Sequence, residues 1–265
     1  EASPNRSLLV IVWGFRDRFQ TAALRTAYTA YVLDINTPVL LFDWPGNQGE
    51  GSSGYRASRE MSYQSGPALG QVLSRVIRET SDTRIWLMGS SLGCQTICEA
   101  FSWMMNDPNL ADTDQEIEHV ILNAPDVSAQ EFDERFAGEI KSLSKHLTSY
   151  VASNDRALLV SKFVNRSRRL GRPNVAQPAV QEYAVDPLDY AADLLALQDQ
   201  GVDEISVVDV TPINRTRNLH HFFTDSPEYF DDLYRHLLEP SEPVARRLYS
   251  VRSDGGSKFW IIWGD

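Results

Sequence analysis

Cysteines and long apolar runs are both scarce in this 265-residue chain, and each scarcity excludes something. The two cysteines, Cys94 and Cys98, lie four residues apart on one predicted helix, where a disulfide would be poorly shaped. Two thiols alone do not make a zinc site either, so we interpret both as small apolar packing groups. No run approaches the roughly 18 apolar residues that a transmembrane helix needs, and no signal peptide is visible.

Positive charge is also in short supply, with 25 lysines and arginines against 36 aspartates and glutamates. The net charge of −11 argues against a nucleic-acid partner and against binding to an anionic membrane surface. No side-chain cluster has metal-ligand spacing, and the glycine-rich Gly46–Gly54 lacks the lysine of a phosphate loop, so no cofactor is predicted. We expect a soluble protein. It is either cytoplasmic, or it is secreted or periplasmic with a leader that is absent from this chain, which begins at Glu1.

What the chain does have is an alternation of short apolar runs with longer amphipathic segments. This alternation is typical of a parallel sheet that is covered by helices on both faces, so we predict an α/β fold. The predicted strands are Leu8–Trp13, Val39–Trp44, Arg84–Met88, His119–Asn123, Leu147–Ala152 and Ile205–Val210. The predicted helices are Arg18–Leu33, Ser65–Thr80, Leu92–Met105, Ala129–Lys145 and Pro227–Leu238.

Two segments fit this alternation less well. Residues 160–192 contain four arginines and three prolines, and a solvated excursion and a cap over the functional site explain them equally well. Near the end of the chain, Phe259–Trp263 is interpreted as either an edge strand or a packed terminus.

The most informative segment is Gly89-Ser90-Ser91-Leu92-Gly93, which stands between a predicted strand and a predicted helix. Gly-x-Ser-x-Gly in that position is the pattern of a nucleophile elbow, a tight turn whose central serine needs small neighbours. An ordinary turn would have the same composition, but the strand before it and the helix after it favour a nucleophile. We therefore predict that Ser91 is the nucleophile and that the backbone N–H of Leu92 faces a developing oxyanion.

Six further blocks surround the elbow in an order that resembles the α/β-hydrolases, and in particular a poorly characterised bacterial branch of serine-esterase-like hydrolases. The blocks are Val10–Phe15, Phe42–Gly46, Gly54-Tyr55 with Arg59-Glu60, Ala124–Asp126, Ser153–Leu158 and His220–Phe223. They lie between Leu8 and about Leu238, which is nearly the whole chain. The resemblance implies one α/β-hydrolase domain over residues 1–265, with residues 160–192 as a candidate cap or lid.

Two positions depart from the pattern of that branch. Trp13 stands where a histidine is usual, and Gly46 stands where a serine is usual, but neither position supplies the nucleophile or the base. The resemblance implies that the second oxyanion donor is a backbone N–H of the first block, which this chain can provide at Phe15.

A nucleophilic serine needs a general base that is itself oriented by an acid, and in α/β-hydrolases the acid precedes the histidine in the chain. Asp155 follows directly on the predicted strand Leu147–Ala152, where its carboxylate can accept from an imidazole N–H. Asp126 follows the preceding strand and is the alternative acid, although Pro125–Ser128 also has the composition of a turn into a helix. We favour Asp155.

His220 and His221 are the candidates for the base, because they fall in the loop beyond the strand Ile205–Val210. The other three histidines fall in or beside predicted helices and strands and are better explained as structural groups. The resemblance, rather than the spacing, aligns His220 with the base of the branch and leaves His221 as the alternative.

The set Ser91, Asp155 and His220 implies two-step acyl transfer on a small-molecule ester, and we predict a carboxylesterase for short or medium acyl chains. Aromatic side chains would ring the nucleophile if the loops follow the family pattern, although aromatic residues at strand ends are as often part of the core. These pocket candidates are Trp13, Phe15, Trp44, Tyr55 and Phe222.

Two other functions stay open. Arg56 and Arg59 in the predicted loop Gly46–Glu60 would suit a carboxylate or polar head group, which favours an amidase, a peptidase or a polar-ester hydrolase. A catalytically inactive α/β-hydrolase fold that serves as a binding module is the second alternative.

Overall fold

The computed structural model describes residues 6–80, 82–110, 116–172, 205–216, 219–238, 246, 248–252 and 258–263. The strands in these ranges are Arg6–Val12 (β1), Val39–Leu41 (β2), Thr83–Ser90 (β3), Ile117–Asn123 (β4), Ser144–Val151 (β5), Ile205–Asp209 (β6), Tyr249–Arg252 (β7) and Lys258–Ile261 (β8). They form one sheet in the order β2-β1-β3-β4-β5-β6-β8-β7, in which β7 alone among the described strands is antiparallel to its neighbour. The predicted α/β fold with a mostly parallel sheet is confirmed.

The helices follow the strands as the alternation predicts. They are Phe19–Leu33 (α1), Gly51–Glu79 (α2), Leu92–Met104 (α3), Ala129–Glu131 (α4), Ala137–Lys141 (α5), Arg156–Asn165 (α6), Phe222–Asp225 (α7) and Pro227–Leu238 (α8). A π-helical turn at Phe132–Phe136 joins α4 to α5, and a 3-10 turn at Pro108–Leu110 follows α3. None of the helices in the described part of the chain combines the length and the hydropathy of a membrane-spanning segment.

The sheet is covered on both faces because successive residues of its strands point to opposite sides. In β1, Leu9 and Ile11 pack into one core with α1 and α8, whereas Val10 and Val12 pack into a second core with α2 and α3. Cys94 and Cys98 are free thiols that are fully buried in the second core. These two cores hold the carboxyl ends of the parallel strands in one row, which is where α/β folds place their sites.

The helix α2 corrects the sequence prediction at its N-terminal end. The predicted helix started at Ser65 and Gly46–Glu60 was predicted as a loop, but α2 already starts at Gly51. Small residues have low helix propensity or mark turns, yet here they let α2 approach α3 closely: a Cβ on Gly70 would lie 2.7 Å from the ring of Trp103. The buried small residues recur at every fourth position, at Gly54, Ser58, Ser62, Gly66 and Gly70.

Two further predictions of secondary structure are wrong in part. The helix predicted over Ala129–Lys145 ends at Lys141, because β5 begins at Ser144. The strand predicted over Phe259–Trp263 is present as β8, but its predicted position at an edge is wrong, since β8 pairs with β6 on one side and with β7 on the other.

Residues 160–172 are hydrogen-bonded to the loop after β4. They continue α6 and then run beside residues 125–129, where the N–H of Leu170 donates to the carbonyl of Val127 and the N–H of Gly171 donates to that of Pro125, both at 2.9 Å. The remainder of the candidate cap, residues 173–192, lies outside the described residues.

Candidate active site

Ser91 occupies the sharp turn between β3 and α3. Its backbone has φ 52° and ψ −123°, a conformation that costs energy in a residue with a Cβ and is found where surrounding contacts enforce it. The Ser91 N–H donates to the carbonyl of Asn123 at 2.9 Å, and the Ser91 carbonyl accepts from the N–H of Asp126 at 3.1 Å. Neighbouring β4 and the loop after it therefore hold the turn in place.

The two glycines of the motif are required by close packing. A Cβ on Gly89 would lie 2.5 Å from Cδ1 of Ile97, and a Cβ on Gly93 would lie 2.6 Å from the carbonyl oxygen of Trp13. Both distances are too short for a real Cβ, so the spacing Gly-x-Ser-x-Gly is dictated by the helix behind the turn and by β1 beside it.

The loop after β1 lies against the same turn. A Cβ on Gly14 would lie 2.7 Å from Cβ of Ser91 and 3.5 Å from the backbone nitrogen of Leu92. Leu92 is the first residue of α3, so its N–H has no acceptor within the helix. Phe15 follows Gly14 directly, which brings both sequence-predicted oxyanion donors to the neighbourhood of Ser91.

Two tryptophans brace this loop from below. The indole N–H of Trp44 donates to the carbonyl of Trp13 at 2.7 Å, and the indole N–H of Trp13 donates to Oγ1 of Thr26 at 2.8 Å. Both rings are buried in the core, with 6% and 2% of their surface exposed. They therefore position the loop instead of facing a ligand.

Asp155 and His220 form the closest acid–base contact of the site. Oδ2 of Asp155 lies 2.6 Å from Nδ1 of His220. The other carboxylate oxygen, Oδ1, accepts from the N–H of Leu158 at 2.8 Å and so caps the start of α6. Asp155 is fully buried, and its two bonds fix the carboxylate in one orientation.

A pair of asparagines joins the loop of the acid to the loop of the histidine. Nδ2 of Asn214 donates to Oδ1 of Asn154 at 3.0 Å and to the carbonyl of Leu219 at 2.8 Å, one residue before His220. Nδ2 of Asn154 returns a bond to the carbonyl of Asn214 at 3.2 Å. The contact between Asp155 and His220 is therefore supported by the backbone on both sides.

The two alternative residues have other surroundings. Asp126 accepts from Arg169 and Ser161 at 2.6 Å and from the hydroxyl of Tyr55 at 2.7 Å. The Nδ1 atom of His221 is buried and has no hydrogen-bond partner among the described residues. Burial, followed by the nearby charges of His220 and Arg25, lowers the pKa of His221 to about 4.

One cavity of about 630 Å³ contains Ser91 and His220 in its lining. Of the aromatic pocket candidates, Phe15 and Tyr55 line it, and their rings meet edge to face with centroids 5.6 Å apart. The described lining has Phe223 in place of Phe222, and Trp13, Trp44 and Phe222 lie in the cores instead.

Two walls of the cavity were not foreseen from the sequence. Neither Arg56 nor Arg59 is in the described lining, although Tyr55 of the same helix α2 is. One wall comes from the start of α1 and the turn before it, and consists of Arg16, Asp17, Thr21 and Arg25. The other wall comes from α6 and consists of Ala157, Leu158, Val160, Ser161 and Val164. The spacing i, i+3, i+7 of Ala157, Val160 and Val164 marks one helix face and was a usable signal.

Comparison with known proteins shows which family the sequence matches. A family model described as "Alpha/beta hydrolase of unknown function (DUF900)" matches residues 1–236. Among solved structures, the chain is similar to an uncharacterized protein from Bacillus cereus ATCC 10987, with 16% identity over 89% of this chain and 60% of that one and a TM-score of 0.42. It is also similar to the ydeN gene product of B. subtilis, with 10% identity over 74% of this chain and 100% of that one and a TM-score of 0.36. The chain thus spans 60% of the length of the B. cereus protein. None of the curated proteins matches.

Proposed function

Since this chain belongs to the α/β-hydrolase family of unknown function whose model matches residues 1–236, we propose that it is a serine hydrolase that cleaves carboxylic esters. Ser91 is the nucleophile, His220 the general base and Asp155 the acid that orients the imidazole. The N–H groups of Leu92 and Phe15 stabilise the oxyanion. The preferred substrates are esters of short or medium acyl chains.

The observation that carries the proposal is the buried 2.6 Å contact between Asp155 and His220, in a cavity that also contains Ser91. A carboxylate on Nδ1 fixes the tautomer in which Nε2 is the free acceptor, and it stabilises the imidazolium that forms when Nε2 takes a proton. Asp126 offers no comparable arrangement, because its carboxylate is already engaged by Arg169, Ser161 and Tyr55.

The reaction proceeds in two balanced steps. Oγ of Ser91 attacks the ester carbonyl carbon while its proton moves to Nε2 of His220, and collapse of the tetrahedral intermediate breaks the bond to the alcohol oxygen, which takes that proton. Water then loses a proton to His220, attacks the acyl-enzyme and releases the acid, returning the proton to Ser91. Each oxyanion donor contributes about 3 kcal/mol of barrier reduction in such enzymes.

Labelling by a fluorophosphonate tests the proposal most directly, since the reagent reacts with activated serines. We expect one adduct, mapped by mass spectrometry to Ser91, and none on the folded Ser91→Ala variant. Ser90→Ala is the matched control, because it removes the neighbouring hydroxyl and should leave labelling intact. Esters and anilides of the same acyl chain then separate an esterase from an amidase. Absence of an adduct on folded wild-type protein would favour the inactive binding module.

A further inference from the structure

The cavity beside Ser91 is polar on one side and apolar on the other. In the sheet, β3 lies between β1 and β4, so the loop after β1 and the helix after β5 flank the turn at Ser91 from opposite sides. The first side carries Arg16, Asp17, Thr21 and Arg25. The second carries Ala157, Leu158, Val160 and Val164, and its one hydroxyl, that of Ser161, donates to Asp126. A ligand that bridges the turn therefore meets two different chemical environments.

The polar side contains an arginine that is held in place and retains free donors. Nη1 of Arg25 donates to both carboxylate oxygens of Asp17, at 2.6 and 2.7 Å. Among the described residues, Nε and Nη2 of Arg25 have no hydrogen-bond partner, and a guanidinium has five N–H donors in a fixed plane. An arginine oriented in this way by a carboxylate is suited to binding a second carboxylate.

His221 provides an independent sign of a ligand on this side. Its Nδ1 atom is buried without a partner among the described residues, although most buried polar atoms have one. His221 lines the same cavity as Arg25 and Thr21, and its ring centroid lies 5.3 Å from that of His220. The ring of His221, with its unpaired atom, is therefore a second polar group among the lining residues and lies beside His220.

The position of His220 decides which part of an ester this side receives. In the proposed mechanism His220 protonates the departing alcohol oxygen, so the alcohol group lies beside His220 and its substituent lies next to His221. The acyl chain then extends to the apolar side, where Val160 is 62% exposed and would be covered by it.

We propose that Arg25, together with Thr21 and His221, forms a subsite for a carboxylate on the alcohol portion of the ester, and that the α6 side receives an apolar acyl chain. This inference rests on the proposed function for the orientation of the ester. It gives the substrate class as apolar acyl esters of hydroxy acids.

Binding is measured first, on the Ser91→Ala protein, so that the result does not depend on turnover. The probes are 4-hydroxyphenylacetate and 4-ethylphenol, which have the same ring and hydroxyl and differ in the carboxylate. We expect the carboxylate to bind about tenfold more tightly by calorimetry, as charge-assisted hydrogen bonds to a guanidinium predict. Additional substitution Arg25→Met should abolish that difference, Arg25→Lys should restore part of it, and Arg18→Met, which removes an exposed arginine outside the cavity lining, should leave it unchanged.

Turnover is measured second, with 4-butyryloxyphenylacetate and 4-ethylphenyl butyrate, whose phenols have similar acidity. The ratio of kcat/KM for the two esters should favour the carboxylate in wild type and fall about tenfold in Arg25→Met. The double variant Asp17→Asn/Arg25→Met controls for the carboxylate that loses its partner. Equal binding of both probes, or an unchanged ratio in Arg25→Met, would overturn the subsite. A protein that binds the carboxylate through Arg25 but neither reacts with the fluorophosphonate nor cleaves either ester would overturn the proposed function and retain the subsite.

Discussion

Asp126 and Arg169 form an ion pair in the interior beside the turn at Ser91, with 2.6 Å between Oδ1 and Nε and side chains that are 3% and 0% exposed. The pair joins the loop after β4 to the segment after α6, and the N–H of the same Asp126 donates to the carbonyl of Ser91. A charge buried this deeply is tolerated only with its partner, because desolvation of an isolated ion is costly. The pair therefore ties the stability of the site to a segment 43 residues further along the chain.

Removing one partner of this pair should destabilise the fold. Arg169→Met leaves the Asp126 carboxylate buried and uncompensated, so we expect the free energy of unfolding in urea to fall by about 3–5 kcal/mol. The double variant Asp126→Leu/Arg169→Met, which removes both charges, should recover much of that loss. A single variant within about 1 kcal/mol of wild type would show that the buried charge is not paired as described.

The two aspartates should respond differently to the same substitution. Asp155→Asn keeps a capping oxygen for α6 but cannot hold the correct tautomer of His220, so kcat on an ester should fall by about 10⁴. Asp126→Asn weakens the contacts of Asp126 with Arg169, Tyr55 and Ser161 but leaves Asp155 on His220, so it should cost less than about tenfold in kcat of the folded protein. Steady-state kinetics on one p-nitrophenyl ester compares them, and equal losses would contradict the assignment of the acid.

The neighbouring histidines offer a matched test of the base. His220→Ala removes the imidazole that contacts Asp155, and kcat should fall by several orders of magnitude, about 10⁴ or more. His221→Ala removes a ring whose pKa is lowered to about 4 and which is therefore neutral at pH 7. We expect a loss of less than about tenfold there. The reverse order of the two losses would make His221 the base.

Three other histidines predict that the fold weakens in acid. His119 and His146 face each other across β4 and β5 with ring centroids 4.9 Å apart, and His236 of α8 lies 4.5 Å from His119. Burial lowers the pKa of all three histidines, and that of His119 falls to about 3. The charge of Arg246 lowers the pKa of His119 and His236 further. Glu118 acts in the opposite direction on the pKa of His119 and His146 without reversing the shift.

The sign follows from where the protons bind. The unfolded chain takes up these protons below its pKa of about 6.5, whereas the folded chain does not until a lower pH, so stability is full above that value and declines as the pH falls. Each group adds a slope of about 1 kcal/mol per pH unit in the window between its two pKa values. Urea unfolding at pH 7 and pH 5 measures it, and His119→Phe should reduce the difference. A stability that rises on acidification over that range would contradict the prediction.

The hydrogen bond from Trp44 to the loop after β1 gives a last prediction. Trp44→Phe keeps the ring packing but removes the indole N–H that donates to the carbonyl of Trp13. Because this bond positions the loop that carries Phe15, kcat should fall by about tenfold with little change in KM, less than the loss of an oxyanion donor itself. Trp86→Phe, which removes an indole N–H that donates to Glu118 and not to that loop, is the control, and equal effects of the two would argue for a general loss of stability.

The sequence by itself determined the elements whose signals are local. The apolar runs located the parallel strands of the sheet to within a few residues, and α8 has the predicted bounds Pro227–Leu238. The motif around Ser91 could be recognised from the sequence because its two glycines are required by close contacts with α3 and with the end of β1, which the strand–turn–helix pattern itself implies. The family resemblance drawn from the ordered blocks is confirmed by the family model.

Only the tertiary structure decided the features that depend on distant partners. Small residues that resemble a loop became the first half of α2 because α3 packs closely against them, and Arg169, read within a solvated or capping span, became buried because Asp126 is its partner. Tertiary packing likewise decided that Trp13 and Trp44 lie in the core and support the loop after β1, whereas Arg25 lines the cavity. Propensity and periodicity describe neighbours in the chain, whereas burial and charge pairing depend on which surfaces meet after folding.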